Sequence, residues 1–300
     1  MYECTVNKWQ ILFLTFSLSL CMIALTGMLL LVGNPAYAQS STLYVAPDGD
    51  CGGASPCYAT IQAAVDDASD GDAVKVAQGV YTGTGFQVVY ISKAITVTGG
   101  YTITDWMNSD PQARPTEVDA EGVHGRRALY IDGTGVTTAT IVGLRMLHGD
   151  SYGSGGGGIY IYNGTVILQN SQVISNADSL SLQRGGGIYI RQGNVTLIGN
   201  TLQGNRAWNG GAIFVNGGTT VLEDNTIVKN TAAYGCGLYA GGGSVNLSSN
   251  TIISNTNDPL FNKGGGGGVY LDDAIATVAN NVIENNEATF GAGVYVEGGV

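Results

Sequence analysis

Positive charge is scarce in this 300-residue chain: 12 Lys and Arg stand against 23 Asp and Glu, for a net charge of −11. A surface of that sign repels phosphate backbones and anionic headgroups. Nucleic acid is therefore excluded as a partner, and a membrane is reachable only through a dedicated anchor. Histidine is rarer still, with only His124 and His148, and neither has a second ligand at zinc-site spacing. Six prolines are too few for a polyproline linker, and the 47 glycines follow no collagen triplet. Cysteine is sparse as well. Cys4 and Cys21 lie near the N-terminus, which leaves Cys51, Cys57 and Cys236. Cys51-Gly-Gly-Ala-Ser-Pro-Cys57 is a short loop suited to closure by a disulfide in an oxidising compartment, and Cys236 reads as a packed free thiol.

One long apolar run is present. Ile11 to Val32 follows Lys8 and leads to Ala36-Tyr37-Ala38, an A-x-A cleavage site before Gln39. Residues 1–38 therefore read as a signal peptide. The run is also long enough to span a bilayer, so an uncleaved anchor is the second reading. Either one places the protein outside the cytoplasm, secreted or at the cell surface.

What the chain has in abundance is repetition. Gly156-Gly157-Gly158-Ile159-Tyr160-Ile161 returns at Gly185, Gly210, Gly235, Gly266 and Gly291, at spacings of 29, 25, 25, 31 and 25 residues. A second phrase, Asn200-Thr201-Leu202-Gln203-Gly204-Asn205, returns from Asn225, Asn250 and Asn281, with a weaker copy at Ser171 to Asn176. Its aliphatic steps from Val173 to Leu202, Ile227, Ile252 and Ile283 by 29, 25, 25 and 31 residues, in time with the first phrase. Two phrases sharing one irregular rhythm define a solenoid. The extra residues all fall between the second Asn and the next glycine phrase, at one corner of each unit.

Each unit holds three short alternating runs separated by Gly and Asn. Runs this short bury a face only by stacking on like runs from neighbouring units. The fold class is therefore all-β, a parallel stacked solenoid with coils of about 25 residues. Thr60 to Ala68 has helical spacing and reads as a capping helix over the first coil. The domains follow: 39–100 as N-terminal cap and first coils, 101–150 as a long loop and degenerate coil, and 151–300 as regular repeats. Residues 101–128 show no period and read as the inserted loop. The repeat still runs at Val294-Tyr295-Val296, so the sequence leads us to expect coils, and room for an anchor, beyond Val300.

Columns in the stack carry the candidate sites. The first glycine of each phrase implies a positive φ or no room for a Cβ. The fifth position, Tyr160, Tyr189, Phe214, Tyr239, Tyr270 and Tyr295, faces away from the core by alternation and stacks along the axis. The columns Asn200, Asn225, Asn250, Asn281 and Asn205, Asn230, Asn255, Asn286 fall at corners, where stacked amides hydrogen-bond from coil to coil.

With these phrases in hand, the chain resembles right-handed parallel β-helix proteins of the pectin-lyase-like superfamily. It looks most similar to Gly-Gly-Ala/Gly-Ile repeat surface proteins such as chlamydial polymorphic outer membrane proteins. Gly210-Gly211-Ala212-Ile213 matches their first phrase literally, whereas their Phe-x-x-Asn appears here as Ile227 to Asn230 and Ile252 to Asn255. The opening Ala59 to Val65 with Gly79-Val80-Tyr81 is similar to the first segment of many such secreted proteins. The resemblance implies the right-handed fold and an extracellular setting.

The leading functional expectation is a non-catalytic cell-surface scaffold or adhesin, whose partner is an extracellular protein or a polysaccharide. Because the superfamily includes polysaccharide lyases and glycoside hydrolases, the second expectation is an enzyme acting on acidic polysaccharide, with Ca²⁺ as the cofactor a lyase would need. No clear Ca²⁺ ligand set is readable. The base-like cluster is Arg145, His148 and Asp150, while the adjacent pairs Glu223-Asp224 and Asp272-Asp273 read as turn residues. A third expectation is a carbohydrate-binding module using the aromatic column as flat platforms for sugar rings.

Overall fold

A computed structural model describes residues 40–135, 138–151, 155–178, 184–258 and 264–298. The expected signal segment, with Cys4 and Cys21, lies outside them. The described chain winds through three parallel sheets of ten, eight and eight strands, here sheets A, B and C. Thr165–Gln169 belongs to sheet A, Gln172–Ile174 to sheet B and Ile188–Ile190 to sheet C, and the next coil repeats that order. The successive steps along sheet A are 31, 23, 44, 27, 29, 25, 25 and 31 residues. The 25-residue coil expected for the regular repeats is thus found between Asn194 and Ser244. Over the nine turns the coils average about 28 residues, because early coils and two later ones carry insertions.

Alternation in short strands builds the core. Leu129, Ile159, Ile188, Ile213, Leu238 and Val269 lie in register down sheet C, and every one is buried. Val166, Val195 and Val245 make the matching column of sheet A. Such columns put like side chains one strand spacing apart, so each coil covers the apolar floor of the one before it.

The first coil is covered by the helix α1 (Ile61–Asp67), whose Ile61, Ala64 and Val65 are buried against that coil's strands. Thr60 caps it, its side-chain oxygen accepting from the Ala63 N–H at 3.2 Å. The Cys51–Cys57 disulfide closes the loop beside it.

Residues 101–128 are less of a loop than their lack of period suggests. Thr116–Asp119 is a strand of sheet B, paired with Gly79–Tyr81 on one side and Leu144–Leu147 on the other. Arg127 already belongs to sheet C. The true insertion, residues 102–115, folds back on the cap: the Trp106 Nε1–H donates to the Cys51 carbonyl at 3.0 Å, and its ring packs edge-on against Tyr44.

Cys236 is fully buried, its Sγ held between the Ala232 carbonyl and the Asn257 amide. Burial pushes its thiol up to about 11. In native protein at about pH 8 the Cys236 peptide should stay unmodified by iodoacetamide, and it should alkylate readily in denaturant. Mass spectrometry of the digested protein reads both states, and rapid native labelling would refute the packing described.

Candidate functional site

The aromatic column is longer than its glycine phrase. Tyr90 and Tyr130 stack beneath Tyr160, so eight rings run in sequence through Tyr189, Phe214, Tyr239, Tyr270 and Tyr295. Neighbouring centroids lie between 4.9 and 5.4 Å apart. Val89-Tyr90-Ile91 and Leu129-Tyr130-Ile131 share the aliphatic-Tyr-aliphatic pattern, a signal that lacked only the glycines. The rings point away from the main core and form an apolar cluster of their own.

That cluster is covered. Tyr160, Tyr189, Phe214 and Tyr270 are 9, 7, 3 and 4 % exposed, and Tyr239 and Tyr295 are half-buried. Arginines supply part of the cover: the Arg127 guanidinium lies 4.9 Å from the Tyr160 ring centre and that of Arg184 5.3 Å from Phe214. Tyr234 meets Tyr270 edge-on. Gly155 leaves no space above Tyr189, since a Cβ there would lie 2.3 Å from its ring. The ring faces are therefore occupied by protein, and the tyrosine hydroxyls bond between coils. The Tyr239 O–H donates to Asp272 at 2.7 Å and the Tyr270 hydroxyl pairs with Glu297. Burial first, and the Asp272 bond second, raise the Tyr239 phenol well above the ordinary tyrosine range.

The base-like cluster is drawn into polar pairs across coils, an Arg–Glu ion pair and two His–Asp contacts. Arg145 Nη1 lies 3.4 Å from Glu117 Oε1, His148 Nδ1 3.0 Å from Asp119 Oδ1, and Asp150 Oδ2 2.7 Å from His124 Nδ1. A fourth pair, Arg126 with Glu121 at 2.8 Å, sits in the same corner. Both histidines of the chain thus face an aspartate of the adjacent coil. The sequence reading missed Glu117 and Asp119, and the pairing of His124, because the strand Thr116–Asp119 and the turn that follows it were hidden in the aperiodic stretch. Each of the three candidates meets a partner from the other coil, so they brace the corner rather than converge on one point. Among the described residues no group of three or more His, Cys, Asp or Glu is placed to hold a metal ion.

The two Asn columns run inside the corners as continuous ladders. Above the first rung of each column, the Asn Oδ1 accepts both the backbone N–H and the side-chain N–H of the Asn one coil earlier, as Asn225 does from Asn200 at 2.9 and 3.0 Å. The same pattern links Asn205, Asn230, Asn255 and Asn286, and Asn225, Asn250 and Asn281. Asn176 extends the second ladder by one coil. Every rung in the regular coils follows a residue of positive φ, among them Gly199, Asp224, Ser249 and Asn280 on one corner and Ser175, Gly204, Lys229, Ser254 and Asn285 on the other. That left-handed residue turns the backbone so the next side chain points into the corner.

Three parallel sheets, corners turned by single left-handed residues and two internal amide ladders define a parallel β-solenoid. The chain belongs to the family described as "Right handed beta helix region", which matches residues 127–300. No curated protein and no solved structure matches the chain.

Proposed function

We propose that the protein is a non-catalytic, extracellular β-helix scaffold, an adhesin or envelope component that presents its inserted corner to a protein or polysaccharide partner. The observation that carries this reading is the pairing of Arg145, His148 and Asp150 with Glu117, Asp119 and His124. Those contacts tie one coil to the next, a structural duty that fits a stalk. The signal-like residues 1–38 and the acidic surface support an extracellular setting. Extra residues gathered at the corner between sheets B and C support a presenting face, since solenoids place variable loops where they bind.

The competing reading is a lyase or hydrolase acting on acidic polysaccharide. Incubation of the full chain with polygalacturonate and alginate, with and without Ca²⁺, distinguishes them. The expected result is no rise in ultraviolet absorbance from unsaturated products and no new reducing ends. Turnover that His148→Ala abolishes would overturn the scaffold reading and make the corner a catalytic site.

A further inference from the structure

We propose that a groove at the corner between sheets A and B binds a neutral, extended oligosaccharide. The groove has a volume of about 440 Å³ and lies beneath the turn 109–112 of the inserted loop. That size is within the range of small-ligand clefts. It lies on a different corner from the polar pairs and a different sheet from the aromatic column, and the proposal stands whether or not the chain is a scaffold.

One wall is held rigidly. Pro111 sits over Gly100 and Gly143, where a Cβ would come within 2.6 and 2.3 Å of the proline. Only glycine at both positions lets the loop seat so closely. The seated turn sets Asp110 at the rim: its Oδ1 accepts the N–H groups of Gln112 and Ala113, and Oδ2 faces no partner among the described residues. The other wall is stepped by coil. Val142 comes from one coil, Asn170 and Gln172 from the next, and Thr201 from the third.

The chemistry of these walls selects the ligand class. The side chains of Gln112, Asn170, Gln172 and Thr201 line the groove and make no hydrogen bond to other described residues. Three amides and a hydroxyl supply paired donors and acceptors, and the carboxylate accepts from two adjacent hydroxyls. A polyol satisfies that set, since every sugar hydroxyl both donates and accepts. Pro111 and Val142 give the apolar patches on which the C–H face of a ring rests. No Lys or Arg lines the groove and Asp110 is its single charged group, so a uronate or phosphate chain is repelled. The coils rise by about 4.8 Å each, close to the advance of one pyranose along a β-1,4-linked chain. Successive coils thus offer polar groups in step with successive sugars.

The test is calorimetric titration of the full chain with cellohexaose, mannohexaose and chitohexaose, with hexagalacturonate as the charged comparison. At least one neutral hexasaccharide should bind. Gln172→Ala should weaken it about tenfold, the loss of one well-made hydrogen bond pair. Asp110→Asn keeps the turn's acceptor and should weaken binding by a smaller factor. Thr251→Val, on the same sheet two coils beyond Thr201, should change nothing. Unchanged melting temperatures establish that each variant is folded. Failure of all three neutral ligands to bind, binding unmoved by Gln172→Ala, or equal binding of hexagalacturonate would each overturn the proposal. Polyuronate turnover bears on the scaffold reading alone, so the two can fail separately.

Discussion

Asn230→Ala should destabilise the protein by about 3–5 kcal/mol, an unusually large loss for removing one small polar side chain. Asn230 is fully buried. Its Oδ1 accepts the Asn205 backbone N–H at 2.9 Å and the Asn205 amide at 3.0 Å. Its Nδ2 donates to Leu202 O at 3.0 Å, Val228 O at 3.1 Å and Asn255 Oδ1 at 2.9 Å. Alanine strands at least two buried donors of the coil below, each costing about 1–3 kcal/mol unpaired. Asn230→Asp should be no better, because it keeps the acceptor, loses the donor and puts a carboxylate against the Asn255 and Leu202 oxygens. Asn286→Ala, at the last described rung, should cost less, since that side chain is half-buried. Denaturant melts of the full chain measure the order. Hydrogen exchange at the Asn205 amide reads it locally, and a loss for Asn230→Ala under about 1 kcal/mol would remove the ladder from the account of stability.

The ladders and the glycine phrase were legible because both depend on a residue type with no substitute. An asparagine amide is long enough to accept twice from one coil and donate to another, which the Ser171 hydroxyl at the head of one column does not match. Glycine alone fits where a Cβ meets backbone, so each leaves a column of nearly identical letters. Lys229 and Ser254 do the same turning work as Gly204, with φ of +56°, +55° and +64°, yet nothing in their type announces it. Their conformation is imposed by the rungs on either side. The strand Thr116–Asp119 escaped for another reason. Its pairing partner Gly79–Tyr81 lies across the 102–115 insertion, and the 37-residue step from Gly79 to Thr116 has no rhythm to follow. With that strand unplaced, the polar partners of Arg145, His148 and Asp150 were unreadable, and three residues close in sequence looked like a cluster of their own. The outward direction of the aromatics followed from alternation. Their cover did not, because Arg184 and Tyr234 occupy the position just before the glycine phrase, where the residue type changes from coil to coil, and Arg127 comes from the coil before the first such phrase.

Gly210→Ala is expected to cost about 3–5 kcal/mol, through two penalties that cannot be relieved together. Gly210 has φ +66°, a region costing an L-residue about 1–2 kcal/mol. A Cβ there would also lie 2.3 Å from Ile213 O, 2.7 Å from Ile213 C and 2.9 Å from Phe214 Cα. Relaxing φ would relieve the first, but the backbone is pinned on both sides. The Gly210 N–H donates to Tyr234 O at 2.9 Å and its carbonyl accepts the Gly186 N–H at 3.2 Å. Moving the strand instead would shift Ile213 out of its core column and Phe214 out of the ring stack. Gly156, Gly185, Gly235, Gly266 and Gly291 repeat the geometry, with φ between +53° and +67° and the same carbonyl 2.2 to 2.7 Å from the added carbon. Asparagine, which tolerates this φ, should therefore fail to rescue the site, since its Cβ meets the same oxygen. Gly217→Ala makes the comparison sharp: φ there is not positive, and the added carbon finds only Arg191 O at 3.7 Å. That substitution should cost under about 1 kcal/mol and leave the near-ultraviolet dichroism of the tyrosine stack intact. Gly210→Ala should lose part of that signal. Equal melts for the two variants would mean that the column of glycines reflects something other than the closeness of the backbone to itself.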